Sequence, residues 1–456
     1  MTAALAVARR RPADAGARVA ATAAFWGGLG LVSYWWAAGG GLTDLGGWET
    51  GLDSAGRLTG LLGSDLLLVQ VLLMARLPVL ERAFGQDRLV AVHRLVGFTS
   101  FTLVLAHLVL ITWGYAAGDL TATLGEFWEL TTDYPAMLLA LAGTACLVLV
   151  VVTSVRRARK KLRYESWHLL HLYGYLGAGL AVPHQLWTGQ EFLTSTAATV
   201  YWWGLWAAAA VAVLVWRVGI PLWRNARHRL RVTSVVPEAD DVVSVYLTGR
   251  GLHRLPVRAG QFLGWRFLGR AGWTRGNPYS LSAAPDGRSL RITVRALGDG
   301  SAALRGVRPG TPVLFEGPFG RLTDRARTRH GVALVGAGVG VAPLRALAEG
   351  LDYAPGEAVL LHRFTGRPLF AGELDVLARE RGLRVVDLPG HRRSAGSWLG
   401  DGVPVDDLTA LRHLVPDIAE RDVYVCGPAP WAESVRRAAV AAGVPEERIH
   451  VEEFRW

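Results

Sequence analysis

Six stretches of this chain are long and apolar enough to cross a lipid bilayer as helices: residues 19–38, 58–77, 90–113, 135–154, 166–187 and 198–219. No other feature limits the fold as much. A hydrocarbon core of ~30 Å takes about 20 apolar residues of helix, and it admits only backbones that satisfy their own hydrogen bonds. Residues 19–223 are therefore expected to form a six-helix α bundle embedded in the bilayer. The first run is expected to be a span and not a removed leader. It is long, lacks a clear small-residue cleavage site, and is followed by five more. Beyond residue 223 the long apolar runs end, so the hydrophobic content of 51% averages two unlike halves.

The loops between these stretches sort by charge. Arg9, Arg10, Arg11 and Arg18 precede the first, and Arg76, Arg82 and Arg88 lie between the second and third. The run RRARKKLR at 156–163 separates the fourth and fifth, and Arg217, Arg224, Arg227 and Arg229 close the sixth. The alternate loops carry Asp44, Glu49, Asp53, Asp119, Glu126, Glu129, Asp133 and Glu191, with Arg57 as their main base. Basic loops stay on the cytoplasmic side. The pattern predicts a multi-pass protein of the cell membrane with a cytoplasmic tail at 1–18 and both termini in the cytoplasm. This topology also accounts for the net charge of +11 without a nucleic-acid partner.

Ionisable side chains inside spans are costly and usually functional. His93 and His107 lie in the third stretch, and His168, His171 and His184 in the fifth. Asp65 and Gln70 are polar positions in the second. The 14 residues from His93 to His107 cover about 21 Å of helix and fall about 40° short of four turns, so both imidazoles face the same way. His171 and His184 match those depths. On an ideal helix they diverge by about 140°, so a break at Pro183 is expected to realign them. Four imidazoles in two layers suit two metal centres with two axial ligands each, and neutral imidazole is a natural ligand of haem iron. His168 stays open as a replacement for His171. With only Cys146 and Cys426, and no C-x-x-C-H, a haem here would be held non-covalently, and neither a disulfide framework nor a zinc or iron–sulfur site is expected.

From residue 228 the pattern becomes short alternating strands, RLRVTSVV, VVSVYLTG, QFLGWRFL, SLRITVRAL and TPVLFEGPFG, at the spacing of an antiparallel β-barrel (228–325). From 330 to 456 it becomes α/β. GVALVGAGVGVAPLRAL reads as strand, glycine-rich turn and helix, and AVLLHRF, LRVVDLP and DVYVCGP as further buried strands of a doubly wound nucleotide-binding layout. Gly336, Gly338 and Gly340 form G-x-G-x-G, with Pro343 following, where backbone amides and a helix N-terminus favour a pyrophosphate.

NPYSLSAAP (277–285), GDGSAAL (298–304), EGPFG (316–320), GAGVGVAP and YVCGP (424–428) occur in the order found in ferredoxin-NADP reductase-like flavoproteins. Joined to six spans with spaced histidines, the chain from about 19 to 456 resembles the bacterial ferric reductase and NADPH oxidase superfamily. The resemblance implies an FAD-binding barrel and an NAD(P)-binding α/β domain. It implies Tyr279 and Ser280 at the flavin, with Pro278 shaping their loop, and Gly300 and Ser301 at the FAD pyrophosphate. It implies Cys426, Gly427 and Pro428 beside the nicotinamide, and a terminal aromatic over the flavin, Trp456 first and Phe454 second. Asn277 stands where many relatives have Arg or His, so Arg275 or Arg295 is a substitute anchor. Arg363 and Arg367 after the second strand, with Arg392 and Arg393 later and no acid at that strand's end, favour the 2′-phosphate of NADPH, with NADH as the alternative.

The activity implied by the resemblance is that of a transmembrane oxidoreductase. Electrons would pass from NADPH to FAD, to an inner b-type haem between His93 and His171, to an outer one between His107 and His184, and out to an acceptor. The first expectation for that acceptor is a ferric chelate. The second is dioxygen, giving superoxide, although Ile111 stands where animal NADPH oxidases carry a second outer histidine. The third is a periplasmic partner protein or a quinone. A proton channel using the histidines is a fourth reading, and the fused flavin and nucleotide motifs argue against it.

Overall fold

The computed structural model describes residues 12–155, 164–189, 195–269 and 272–453. They fall into two compact units, Ala13–Ile220 and a second within Pro221–Trp456. The basic run at 156–163 lies outside the described residues, as do Phe454 and Trp456.

The first unit is helical. Its long helices are α1 (Pro12–Trp36), α2 (Trp48–Met74), α3 (Gln86–Tyr115), α4 (Met137–Ser154), α5 (Tyr164–Thr188) and α6 (Thr196–Ala212). Among the described residues, five helical stretches are long and apolar enough to cross a membrane: Asp14–Asp44, Trp48–Met74, Arg88–Tyr115, Met137–Ser154 and Thr196–His228. The six expected from the sequence are thus five by this measure. The exception is α5, which is 25 residues long but carries three histidines and Gln185.

Glycines set how these helices meet. A Cβ added at Gly56 of α2 would lie 2.8 Å from Ile111, one at Gly60 2.5 Å from His107 Nδ1, and one at Gly63 3.1 Å from Val104. This seam of small residues brings the backbones of α2 and α3 together. In lipid, where apolar surfaces have no hydrophobic drive to pair, such close packing is what holds helices side by side. α4 and α5 meet in the same way, for a Cβ at Gly143 would lie 2.7 Å from the carbonyl of Gly177. α5 runs on through Pro183, so the expected break is absent.

The second unit begins with α7 (Ile220–His228), whose Asn225 accepts from the Phe315 N–H at 2.9 Å and donates to the Phe315 carbonyl at 2.8 Å. Six strands follow: β1 (Arg231–Ala239), β2 (Val242–Thr248), β3 (Phe262–Phe267), β4 (Asn277–Ser280), β5 (Ser289–Arg295) and β6 (Val313–Phe319). They make two three-stranded antiparallel sheets, ordered β1-β2-β5 and β4-β3-β6. The alternation of Leu263, Trp265 and Phe267 sends every second side chain of β3 into one core shared with Val245, Leu247, Ile292 and Phe315.

The remainder is α/β: β7 (Val332–Ala337), α8 (Val341–Gly350), β8 (Ala358–Phe364), α9 (Ala371–Arg381), β9 (Arg384–Pro389), α10 (Asp407–Leu414), β10 (Asp422–Gly427), α11 (Ala429–Ala441) and β11 (Ile449–Glu453). The sheet order is β11-β10-β7-β8-β9, with every pairing parallel. β7 and β10 are buried at each position, as helices on both faces require, and this explains their unbroken apolar runs.

Asp422, wholly buried at the start of β10, accepts from the backbone N–H groups of Thr328 and Arg329, each at 2.6 Å. Burial raises its carboxyl pKa, but His450 and the two backbone donors outweigh that and hold it below the usual range. A depressed carboxyl stabilises the fold above its unfolded pKa, and that contribution is lost as pH falls through the folded value. Asp422→Ala removes the acceptor of two part-buried backbone donors and is expected to cost about 1–3 kcal/mol. A thermal melt of the full-length protein should show the drop in its second unit at neutral pH, and a much smaller one in acid.

Candidate functional site

Two constellations stand out, one in each unit. In the helical unit, a backbone carbonyl of α2 tethers each histidine of α3. His93 Nδ1 lies 3.2 Å from the Gln70 carbonyl, and His107 Nδ1 2.8 Å from the Gly56 carbonyl. A carbonyl only accepts, so Nδ1 carries the proton in both rings and Nε2 keeps its lone pair. This is the arrangement that orients a metal-ligating imidazole. The sequence flagged Gln70 for its side chain, whereas its main chain forms the tether.

On α5, His171 faces His93 with ring centroids 6.1 Å apart, and its Nδ1 is 3.3 Å from the Ser154 hydroxyl. Trp167 lies against the same ring, centroids 5.0 Å apart. The ring brought to His93 is therefore that of His171, while His168 sits one turn earlier. His184 lies within electrostatic reach of His107. His171 is thus the neighbour of His93 and His184 that of His107, although α5 does not break at Pro183. Among the described residues no group of three or more His, Cys, Asp or Glu gathers as a metal cage. Opposed imidazole pairs are donors that would suit a haem iron. Asp65 is 1% exposed and accepts from the Tyr201 hydroxyl.

In the second unit, chain order reverses at β7, with β8 on one side and β10 on the other. Ligands of doubly wound sheets bind at such a switch point, beyond the carboxyl ends of the strands. Gly336 to Gly340 and Cys426 to Pro428 lie there, with Pro343 in the first turn of α8. The glycines are not equivalent. A Cβ at Gly336 would lie 2.9 Å from Leu344, one at Gly427 2.7 Å from Trp431, and one at Gly340 would overlap the Cys426 carbonyl. Protein packing alone demands those three. Gly338 has φ +55° and nothing within 4 Å of its Cβ position, so its bareness leaves an open cradle at the start of α8, where amide groups favour an anion. Cys426 is wholly buried, and burial pushes its thiol pKa well up.

Arg363, next to last in β8, donates to the Gly390 carbonyl at 3.3 Å, and Arg367 is exposed on the next turn. Arg392 instead donates to Ser397, Ala395, Pro430 and Ser434, and Arg393 to Val403 and Val405. Both hold loops together, which leaves Arg363 and Arg367 as the cations at the strand end.

The flavin-type motif forms β4, with Tyr279 and Ser280 buried at 5% and 7% exposure and Pro278 exposed. The Trp265 indole donates to the Tyr279 carbonyl at 2.9 Å. Gly300 and Ser301 lie in the short helix Asp299–Ala302, where the Ser301 hydroxyl accepts from the Leu297 and Gly298 amides. Arg295 pairs with Asp241 at 2.6 Å. The Gly338–Gly340 turn packs beside β5, the strand that also lies beside β4.

Residues 59–182 match the family model described as ferric reductase like transmembrane component. The other half is similar to curated reductases. An NADPH oxidoreductase of Mycobacterium tuberculosis is 26% identical over 245 residues, covering 51% of this chain and 62% of the relative. A flavohemoprotein of Xylella fastidiosa is 28% identical over 243 residues, covering 51% and 59%. The chain thus spans about three fifths of the length of these relatives. Among solved structures, the flavohem-like FAD/NAD binding domain of a nitric oxide dioxygenase from Vibrio cholerae is 26% identical with a TM-score of 0.41, covering 50% of this chain and 99% of that one. Two parts of the chain are thus each similar to a different kind of module. Residues 59–182 resemble a ferric reductase-like transmembrane component, and about half of the chain resembles reductases of the flavohaemoprotein and ferredoxin reductase kind.

Proposed function

We propose that this chain carries electrons across the cell membrane, from cytoplasmic NADPH through FAD and two b-type haems to a ferric chelate on the outer face. The observation that carries the reading is the matched pair of tethers, His93 to Gln70 and His107 to Gly56. A histidine that merely bridges two helices needs no such repeat 14 residues on in both α2 and α3.

When bound, FAD would take a hydride and release single electrons, and each haem would pass one on. The chain's part is to hold and orient. His93 with His171 and His107 with His184 would supply the nitrogens that hold the two haems, each α3 imidazole fixed by its carbonyl. Gly338 and the α8 N-terminus would receive the NADPH pyrophosphate, and Arg363 and Arg367 its 2′-phosphate. Tyr279, Ser280 and Pro278 would hold the flavin, Gly300 and Ser301 its pyrophosphate, and Cys426, Gly427 and Pro428 the nicotinamide, with Trp456 or Phe454 over the flavin ring. In this reading α5 also crosses the bilayer, because its histidines complete both layers. The spans then number six, both termini are cytoplasmic, and the domains are 19–223, 228–325 and 330–456.

Sidedness tests the proposal. In sealed vesicles with NADPH on the cytoplasmic face only, a membrane-impermeant ferric chelate trapped on the opposite face should be reduced. Reduction only of chelate on the NADPH side would overturn it.

A further inference from the structure

Helix α8 has two ends, and each touches a different half of the reductase unit. Its N-terminus comes directly after the open cradle at Gly338. Its C-terminal end reaches the segment just after Ser280. There Glu349 Oε2 accepts from the Ala284 N–H at 2.6 Å, and Arg345 donates to the Ser282 carbonyl at 3.3 Å. Gly350 makes the contact close, since a Cβ there would lie 2.9 Å from the Ala259 methyl and 3.3 Å from that of Ala284.

Four charges close around this contact. Arg345 bonds Glu349 at 2.5 Å and Glu373 at 2.7 Å. Arg291, on β5, grips both oxygens of Glu373 at 2.7 and 2.9 Å and donates to the Ser282 carbonyl at 2.7 Å. The two arginines, Arg291 and Arg345, are 5% and 8% exposed. Burial would raise the Glu373 carboxyl pKa, but the Arg291 hydrogen bond and the Arg345 charge outweigh it and hold it below the usual range. Glu373 therefore stays ionised at neutral pH between the two arginines. A planar guanidinium bonded in fork geometry fixes angle as well as distance.

We infer that α8 is a rigid link between the nucleotide and flavin sites, with Arg345 and Glu349 as positioning residues that set the flavin loop relative to the nicotinamide. This rests on the reading of the unit as a binder of FAD and NADPH. The helix presents its N-terminus to the nucleotide and fixes the backbone two and four residues beyond Ser280. Hydride transfer falls steeply with misplacement, about 100-fold for 1 Å. Simple adhesion between the two halves would need no bond to the backbone of the flavin loop.

The test uses the full-length, FAD-loaded protein in detergent. Anaerobic flavin reduction is monitored at saturating NADPH, together with the KM for NADPH and the change in the flavin spectrum when non-reducing NADP+ is added. In Glu349→Ala, reduction per bound FAD is expected to slow by about 30-fold with KM changed by less than about threefold, and the NADP+-induced spectral change to shrink. Glu349→Gln, whose side-chain carbonyl still accepts from Ala284, should recover most of the rate. Arg345→Lys keeps the charge but loses the fork, and should slow reduction with KM unchanged. A Glu349→Ala protein that loses FAD or melts early, yet reduces each bound FAD at the wild-type rate, would overturn the inference and leave adhesion only. Wild-type protein that NADPH does not bleach would overturn the underlying reading and the inference with it.

Discussion

His107→Leu protein reduces its flavin with NADPH at the wild-type rate and delivers electrons to an outer-face ferric chelate more than ~100-fold more slowly. Loss of a partner that only orients a ligand already costs about 10–100-fold, and this variant removes the ligand itself. Leucine is close in size and apolar, so α3 keeps its packing in lipid, and the defect is not one of folding. Gly60→Val should give a milder form of the same phenotype, because a side chain there pushes into the His107 ring, 2.5 Å from the Cβ position. Stopped-flow flavin bleaching and chelate reduction, measured on one preparation, separate the two steps. Equal loss of both in His107→Leu would mean the residue is structural.

The second large effect separates two glycines two positions apart. Gly340→Ala places a methyl group against the carbonyl of Cys426, with the carbonyl carbon 2.8 Å away and Gly427 Cα 3.1 Å away. Both belong to β10, an interior strand paired on both sides, so neither gives way. The expected cost is about 3 kcal/mol or more, at the upper end for an overpacked site, with loss of folded α/β domain and of all NADPH-driven activity. Gly338→Ala meets no atom. Its cost is the left-handed backbone, roughly 1–2 kcal/mol, and the protein folds. Its defect should fall on the KM for NADPH, because the methyl group enters the cradle. Circular dichroism melts together with NADPH kinetics check both. A folded Gly340→Ala protein, or a Gly338→Ala protein with unchanged KM, would count against this division of roles.

Much of this was legible in the residues, for identifiable reasons. Lipid tolerates few backbones, so long apolar runs announce helices. A 14-residue interval on a helix returns to nearly the same face, so His93 and His107 could be paired without coordinates. Parallel strands buried on both faces read as VALVGA and DVYVCG. The features that escaped were set by neighbours distant in the chain. The tethers on both histidines are main-chain carbonyls, which every residue has, so Gly56 and Gln70 carry no signature of that role. Arg392 and Arg393 read as phosphate ligands because a free arginine and one consumed by loop carbonyls look alike in sequence. Glu349 and Glu373 read as ordinary helix-surface acids until Arg291 and Arg345 are seen beside them. β4 was hidden inside a motif read for its chemistry, and β11 in a tail read for its aromatics. α5 reads as a span on length, although with three histidines and Gln185 it is not among the five stretches apolar enough to cross a membrane.

The central claim is that electrons from NADPH reach iron held by the paired histidines. An anaerobic absorbance spectrum of the detergent-purified protein, taken before and after NADPH, tests it most directly. The account predicts a bleached flavin together with sharp bands of reduced b-type haem, at about two haems per flavin. A flavin that bleaches with no haem bands would contradict it.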